Sequence, residues 1–414
     1  MICSAVSSGS ATYRGFKKFE NNFSDFTKSA LATSCGFSLL ICLLLFTFSS
    51  FFGLERWLFL PLTLQILCDT IIGVSMTKAR YRYKYFEVSL TSILSSALPA
   101  VLSVILLYFL PGGYIIRIFS LLFFSLVIAL WHMVKIGFSG GRIDKNATKY
   151  LIFTSLPLLP HSITVAVSAQ ADKLFITRIM GESALARYSV VHSLGIALQF
   201  AVTAIGSALG PWMIRRLDAD ESAKVSQVVL TLFSLFSALS LGICGLAPEV
   251  MSLLAPEKYS IALPALVPIA LSTPIFLLSY VITLCLVHNS RGKMTAGMSV
   301  IGLLLCIFLD LTLIPKFGYF GAVLSLFFSQ LGSVIFGIFA LARCKLSEAI
   351  APMRTSLIFV FSLAIGFSIL LLYDARPWRF LLMIFPILLG LSALPESLRL
   401  MRERSFQNTK GAET

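Results

Sequence analysis

Apolar residues fall in long runs along this chain, with polar and basic residues gathered between them. Each run is about 20 residues, enough to cross roughly 30 Å of hydrocarbon as a helix, and no strand-type alternation competes with it. Twelve runs stand approximately at 29–53, 57–77, 86–110, 114–136, 148–172, 185–210, 224–247, 260–287, 294–315, 319–342, 355–373 and 379–397. Backbone exposed to lipid must satisfy its hydrogen bonds within each segment. The pattern therefore predicts an all-α polytopic membrane protein of about 12 transmembrane helices.

Composition agrees: 57% of residues are hydrophobic, 13% are charged, and the mean hydropathy is +0.90. A soluble domain of this size carries about 25% charge. The net charge of +14 would suit nucleic acid, but its distribution points elsewhere. Starting with the N-terminal segment, alternate connections hold 24 of the 33 Lys and Arg residues, and the intervening ones hold 9. The rich set includes Arg14, Lys17, Lys18 and Lys28, then Lys78, Arg80, Arg82 and Lys84, and finally Arg399, Arg402, Arg404 and Lys410. Basic residues in short loops set orientation, so this set and both termini are expected in the cytoplasm, and no nucleic-acid partner is expected. The 8 cysteines form no C-x-x-C and lie mostly inside apolar runs; the 4 histidines form no H-x-x-x-H pair. No disulfide, metal or cofactor is expected. The first apolar run follows a polar, basic segment, which is not the form of a cleavable signal peptide.

The chain also resembles itself. AVSSGSATYRGFKKF (5–19) is similar to AVTAIGSALGPWMIRRL (201–217), KARYRYKY (78–85) stands where HNSRGKM (288–294) stands, and LPGGYIIRIFSLLFFSL (110–126) is similar to IPKFGYFGAVLSLFFSQL (314–331). The separations are about 198, 207 and 205 residues, in one order. Such duplication is common in transporters. It predicts two pseudo-symmetric lobes: an N-terminal lobe at 1–140 with four helices plus a remnant, and a C-terminal lobe at 146–345 with six. An extra helix pair at 350–400 and a cytoplasmic tail at 401–414 follow. The first lobe lacks the counterpart of the helix pair that opens the second. Both repeats start on the same side, so their axis is expected along the membrane normal, with a cleft between the lobes.

These features, with PLLPHSITVAVSAQADKLFITRIMGESALARYSVVHSL (157–194), APEKYSIALPALVPIAL (255–271) and LIPKFGYFGAVLS (313–325), resemble the multidrug/oligosaccharidyl-lipid/polysaccharide exporters. Within that superfamily the chain is most similar to the O-antigen (Wzx-type) flippases of polysaccharide biosynthesis. The likeness runs over nearly the whole chain. It implies transfer of an undecaprenyl-diphosphate-linked oligosaccharide, the building unit of O-antigen in lipopolysaccharide or a similar surface polysaccharide, across the bacterial inner membrane. The partners implied are the lipid-linked oligosaccharide, bilayer lipid, a polysaccharide polymerase and a chain-length regulator. The family's first-helix residues have no positions here, and many members carry Asn ahead of the LIP bend where this chain has Asp310.

A charge at the bilayer centre costs roughly 2.5–3.5 kcal/mol on insertion scales, so intramembrane polar residues mark watery paths or partnered sites. Lys173, Arg178 and Arg187 are the cations a diphosphate–sugar head group would need. They could equally snorkel to the outer interface. Asp172 could pair with Lys173 or Arg178, or tie down a helix end. Pro157 and Pro160 are hinge candidates, since each removes an intrahelical bond. His161 could bond a sugar, titrate, or bond a backbone carbonyl. His192 and Gln199, seven residues apart with Arg187 near the helix start, form a polar stripe that either lines a cavity or glues helices. Asp69 and Asp310 are isolated acids, candidates for a coupling proton or cation, or else for interhelical hydrogen bonds. Arg14, Arg82 and Arg291 read as orientation charges that could also attract a diphosphate.

Two other functions compete. A multidrug exporter of the same superfamily would favour acids and aromatics for cationic drugs. A membrane-embedded polysaccharide polymerase or ligase would usually need a sizeable outer loop, and the longest outer connection is about a dozen residues. The chain is therefore not expected to be an enzyme.

Overall fold

The computed structural model describes residues 12, 15–16, 18–19, 22–47, 56–82, 84–110, 113–137, 140–155, 159–254, 263–289, 291–344, 347–373, 375–392 and 395. They fold into α-helices, and the chain divides into two compact units, Met1–Ile163 and Thr164–Thr414.

The first unit contains α1 (Phe23–Thr47), α2 (Phe59–Tyr81), α3 (Tyr85–Phe109), α4 (Gly113–Gly137) and α5 (Lys145–Ser155). Helix α2 packs between α1 and α4, and α3 lies on α4. Residues 140–144, ahead of α5, are tied to the start of α1. Asp25 accepts the Arg142 N–H at 2.7 Å, Ser24 donates to the Gly140 carbonyl at 2.6 Å, and Ser29 Oγ accepts the Asp144 N–H at 2.8 Å. Asp144 then caps α5 by accepting the N–H groups of Asn146 and Ala147, the usual use of a short carboxylate at a helix start. Phe16, Phe26, Val74 and Leu151 close the core beneath this loop.

The second unit begins within α6 (Leu159–Met180) and continues through α7 (Glu182–Gly195), α8 (Ala197–Asp218), α9 (Ser222–Leu254), α10 (Leu266–His288), α11 (Gly292–Phe317), α12 (Tyr319–Arg343), α13 (Pro352–Leu371) and α14 (Arg376–Ser392). Helix α10 is its axis, in contact with α7, α8, α9, α12 and α13. Its residues Leu271, Val281 and Ile282 are fully buried in a cluster that includes Phe233 and Phe236 of α9. Helix α14 packs on α9, where the fully buried Arg379 donates to Glu249 and to the Tyr373 carbonyl.

Among the described residues, nine helices are long and apolar enough to span a bilayer, and the bent pair α7–α8 supplies a tenth span. Large apolar side chains such as Leu43, Val104, Phe123 and Leu357 face outward on these helices, as they do where lipid is the solvent. This is an all-α, multi-pass membrane protein. Among the described residues the expected count of about 12 is not confirmed. Within the run at 148–172 the described residues form α5, to Ser155, and α6, from Leu159, and Pro157 lies outside the described residues. Helix α14 has 17 residues, short of a full span.

Some segments that resemble one another in sequence form similar elements. A 3-10 turn at 56–58 leads into the 23 residues of α2, and a 3-10 turn at 263–265 leads into the 23 residues of α10. Helices α4 and α12 have 25 residues each. Each starts at a Gly-Tyr pair whose glycine has positive φ, 49° at Gly113 and 57° at Gly318, a turn that costs other residues more. Counterparts of α6 and α7 do not occur among the described residues of the first unit.

Candidate functional site

In the second unit α6, α7, α11 and α12 bring a set of polar side chains into an apolar interior. Asp172 on α6 is 1% exposed. Its Oδ2 accepts a 2.5 Å hydrogen bond from the Tyr188 hydroxyl, and its Oδ1 accepts the Lys173 backbone N–H at 2.8 Å. His192 Nε2 lies 3.7 Å from the same Oδ2. Tyr188 and His192 stand four residues apart on α7, one turn along the same face, with ring centroids 5.3 Å apart. The i, i+4 spacing lets one short helix present two polar groups to one carboxylate.

The second acid, Asp310 on α11, is fully buried. Cys306, one turn earlier, places its Sγ 3.5 Å from Asp310 Oδ2. Ser325 of α12 approaches the same carboxylate without closing a hydrogen bond, so Ser325 Oγ and Asp310 Oδ1 are both buried without a partner. Both acids border one buried cluster, in which Ile176 of α6 and Tyr188 of α7 pack with Ile314 of α11 and Ala322 of α12. Among the described residues, no group of three His, Cys, Asp or Glu side chains has metal-holding geometry.

The other candidates are placed as follows. The structure joins Asp172 to Tyr188 and His192, rather than to the expected Lys173 or Arg178. Lys173 is half-buried and donates weakly to Gln170 at 3.3 Å. Arg178 is exposed on the last turn of α6, and Arg187 is half-buried on α7. The stripe expected from His192 to Gln199 is interrupted, because the helix breaks between Gly195 and Ala197 and bends by 42°. Gln199 instead donates to Ser272 of α10 at 3.1 Å. Pro160 is the second residue of α6, where a helix needs no N–H from it. The side chains of Pro160 and His161 lie outside the described residues, as does Pro157 entirely. In the first unit, Asp69 is exposed and accepts from Gln65 Nε2 at 2.9 Å, while the same amide nitrogen reaches Ser125 of α4 at 2.8 Å. Sequence reading passed over Tyr188, Cys306 and Ser325. The i, i+4 pairs Tyr188/His192 and Cys306/Asp310 were the available signal.

The model of a family described as "Polysaccharide biosynthesis protein" matches residues 10–264, more than half of the chain. No curated protein matches the sequence. Among solved structures, a lipid II flippase MurJ in an inward closed conformation superposes with a TM-score of 0.72 at 14% identity, covering 96% of this chain and 90% of that one. An outward-facing multidrug resistance MATE family transporter of the MOP superfamily gives 0.58 at 14% identity, covering 84% and 83%. A MOP superfamily transporter from Pyrococcus furiosus gives 0.59 at 17% identity, covering 84% of each. At these identities the likeness establishes the fold.

Proposed function

The chain belongs to the polysaccharide biosynthesis protein family, and from that premise we propose that it is a flippase for undecaprenyl-diphosphate-linked oligosaccharide repeat units. Its cargo would be the building unit of O-antigen or a similar surface polysaccharide, carried across the bacterial inner membrane with both termini in the cytoplasm. The observation that carries this reading is the family match on a chain whose fold is shared with a flippase of a lipid-linked sugar over nearly its full length. A polymerase and a chain-length regulator would act on what it delivers.

Asp172 and Asp310 serve as the coupling pair in this proposal. With both ionised, their repulsion strains the packing of α6 and α7 against α11 and α12. Uptake of a proton or monovalent cation at Asp310 Oδ1 removes that strain and shifts the balance between conformations. Tyr188 and His192 hold Asp172 in place. Asp69, with Gln65 and Ser125, is a second candidate for the coupling ion. Lys173, Arg178 and Arg187 are only partly covered and are the cations for the diphosphate; His161 and Gln199 extend the polar path. Pro157 and Pro160 flank the junction that would hinge. The chain acts as a carrier and makes or breaks no bond.

Deletion of the gene, with complementation by this 414-residue form, tests the reading. Loss of surface polymer, with build-up of complete lipid-linked units that complementation clears, is the expected result. Normal polymer without build-up would overturn it and favour a multidrug exporter of the same fold. Build-up of delivered but unpolymerised units would favour a polymerase or ligase.

A further inference from the structure

A groove of about 810 Å³ runs along the first third of α9 in the second unit. One wall is a single face of α9, with Ser226, Leu230, Thr231 and Ser234 at helical spacing. The other is the corner where a 3-10 turn, Ser347–Ile350, meets the start of α13, and it presents Glu348, Met353 and Arg354. Both walls are held in place. The far face of α9 is anchored by Val225, Val228 and Val229, buried in the core. At the corner Ala351 keeps a left-handed φ of 42°, unusual for a residue with a Cβ. The Thr355 hydroxyl clamps it, 2.6 Å from the Ile350 carbonyl oxygen and 2.9 Å from that of Ala351.

The polar groups of the groove divide into acceptors and one donor. Thr231 gives its hydroxyl proton to the Gln227 carbonyl at 3.0 Å, and Ser234 gives its own to that of Leu230 at 2.8 Å. Their oxygens are then left to accept. Glu348, an acceptor as a carboxylate, receives one long bond from Ser222 at 3.4 Å. Arg354 can only donate. Both charged side chains are exposed, and neither has an oppositely charged partner among the described residues. A matching occupant brings a cation with N–H groups for Glu348 and an anion for Arg354. Position adds a tail. The 33 residues of α9 extend about 50 Å against roughly 30 Å of hydrocarbon, so its first turns reach the headgroup layer. From Met353 at the groove, Leu357 and Phe361 continue along one exposed apolar face of α13.

We propose that this groove binds phosphatidylethanolamine, its ammonium on Glu348, its phosphate on Arg354, and an acyl chain along Met353, Leu357 and Phe361. Phosphatidylglycerol lacks the cation and phosphatidylcholine lacks the N–H donors, so the acceptors select one headgroup among lipids with the same tails. The site does not depend on what the protein carries.

The full chain, in micelles doped equally with the dioleoyl forms of these three lipids, provides the test by native mass spectrometry. The expected result is one phosphatidylethanolamine kept per wild-type chain, about ten-fold over either competitor, the worth of one charge-assisted contact. Glu348→Gln should erase that preference. Arg354→Gln should lower retention of phosphatidylethanolamine about ten-fold, and Arg354→Lys should largely restore it. Ser226→Trp, which fills the groove while keeping both charges, should also lower it, and gives the reading if a charge variant fails to fold by circular dichroism. Lys316→Gln, on the last turn of α11, should change nothing. Equal retention of the three lipids by the wild type would overturn the proposal. So would a preference that survives Glu348→Gln, an empty wild-type chain, a retained polyprenyl phosphate, or a second polypeptide in place of the lipid.

Discussion

A buried carboxylate persists only while its oxygens are partnered, and the two acids of the second unit differ in this respect. Asp172 has both oxygens engaged, whereas Asp310 keeps Oδ1 free toward Ser325. In the proposed mechanism the first stays as it is and the second takes up the ion. Two substitutions should therefore separate the roles. Asp310→Asn keeps shape and removes charge; transport, read as clearance of lipid-linked units in the deletion strain, should fall roughly ten-fold or more. Its thermal denaturation should hardly move. Tyr188→Phe removes a hydrogen bond to a charged group and should cost about 1.5–3 kcal/mol in denaturant titration. Both acids were legible in the sequence because an acid in an apolar run is conspicuous. Their proximity was not, since Asp172 and Asp310 are on separate helices and nothing in local periodicity says which helix faces which.

Among the elements, the long apolar runs were legible because length and hydropathy alone define them. The breaks were not. Nothing in the apolar content of 148–172 or 185–210 distinguishes one helix from two, and Gly195, beside the bend, lies so close to Ile269 that a Cβ there would collide with it. One junction also carries a testable electrostatic device. Between α8 and α9, Asp220 adopts a left-handed φ of 55°, and Glu221 accepts hydrogen bonds from the buried Arg216 and from Lys224. Arg216 first, and then Lys224, holds the Glu221 carboxyl below the usual carboxylate range. A lowered folded-state value means that the stabilisation is fully present above the ordinary 4.5 and is lost as pH falls through the lower folded value. Glu221→Gln should therefore flatten the acid-side fall in melting temperature while leaving the protein less stable near neutrality. Equal acid limbs in the two proteins would contradict this.

For the whole molecule, the charge asymmetry of the loops makes a topological prediction. In a background with all 8 cysteines replaced, Glu182→Cys should react with a membrane-impermeant maleimide added to intact cells after the outer membrane is permeabilised. Ala219→Cys should react only once the inner membrane is broken. The reverse pattern would invert the molecule and remove the basis for export from the cytoplasm. The likeness of α4 and α12 was legible because both keep the same turn chemistry, Gly-Tyr at 113–114 and at 318–319.

The pairing of Arg379 with Glu249 has a consequence for how the protein is made. The two residues are 130 positions apart, so α9 leaves the ribosome long before α14 exists. A helix carrying an arginine with 1% exposure is poorly suited to settle alone in lipid. Arg379 is buried while the Glu249 side chain is 39% exposed, so removing Glu249 leaves a buried guanidinium short of its acidic partner. The last helix thus depends on a surface prepared earlier in synthesis, and the guanidinium acts as a latch that engages after α9 is seated. A ribosome that stops short of Arg379 leaves Glu249 without this partner on a chain whose other described helices are already made.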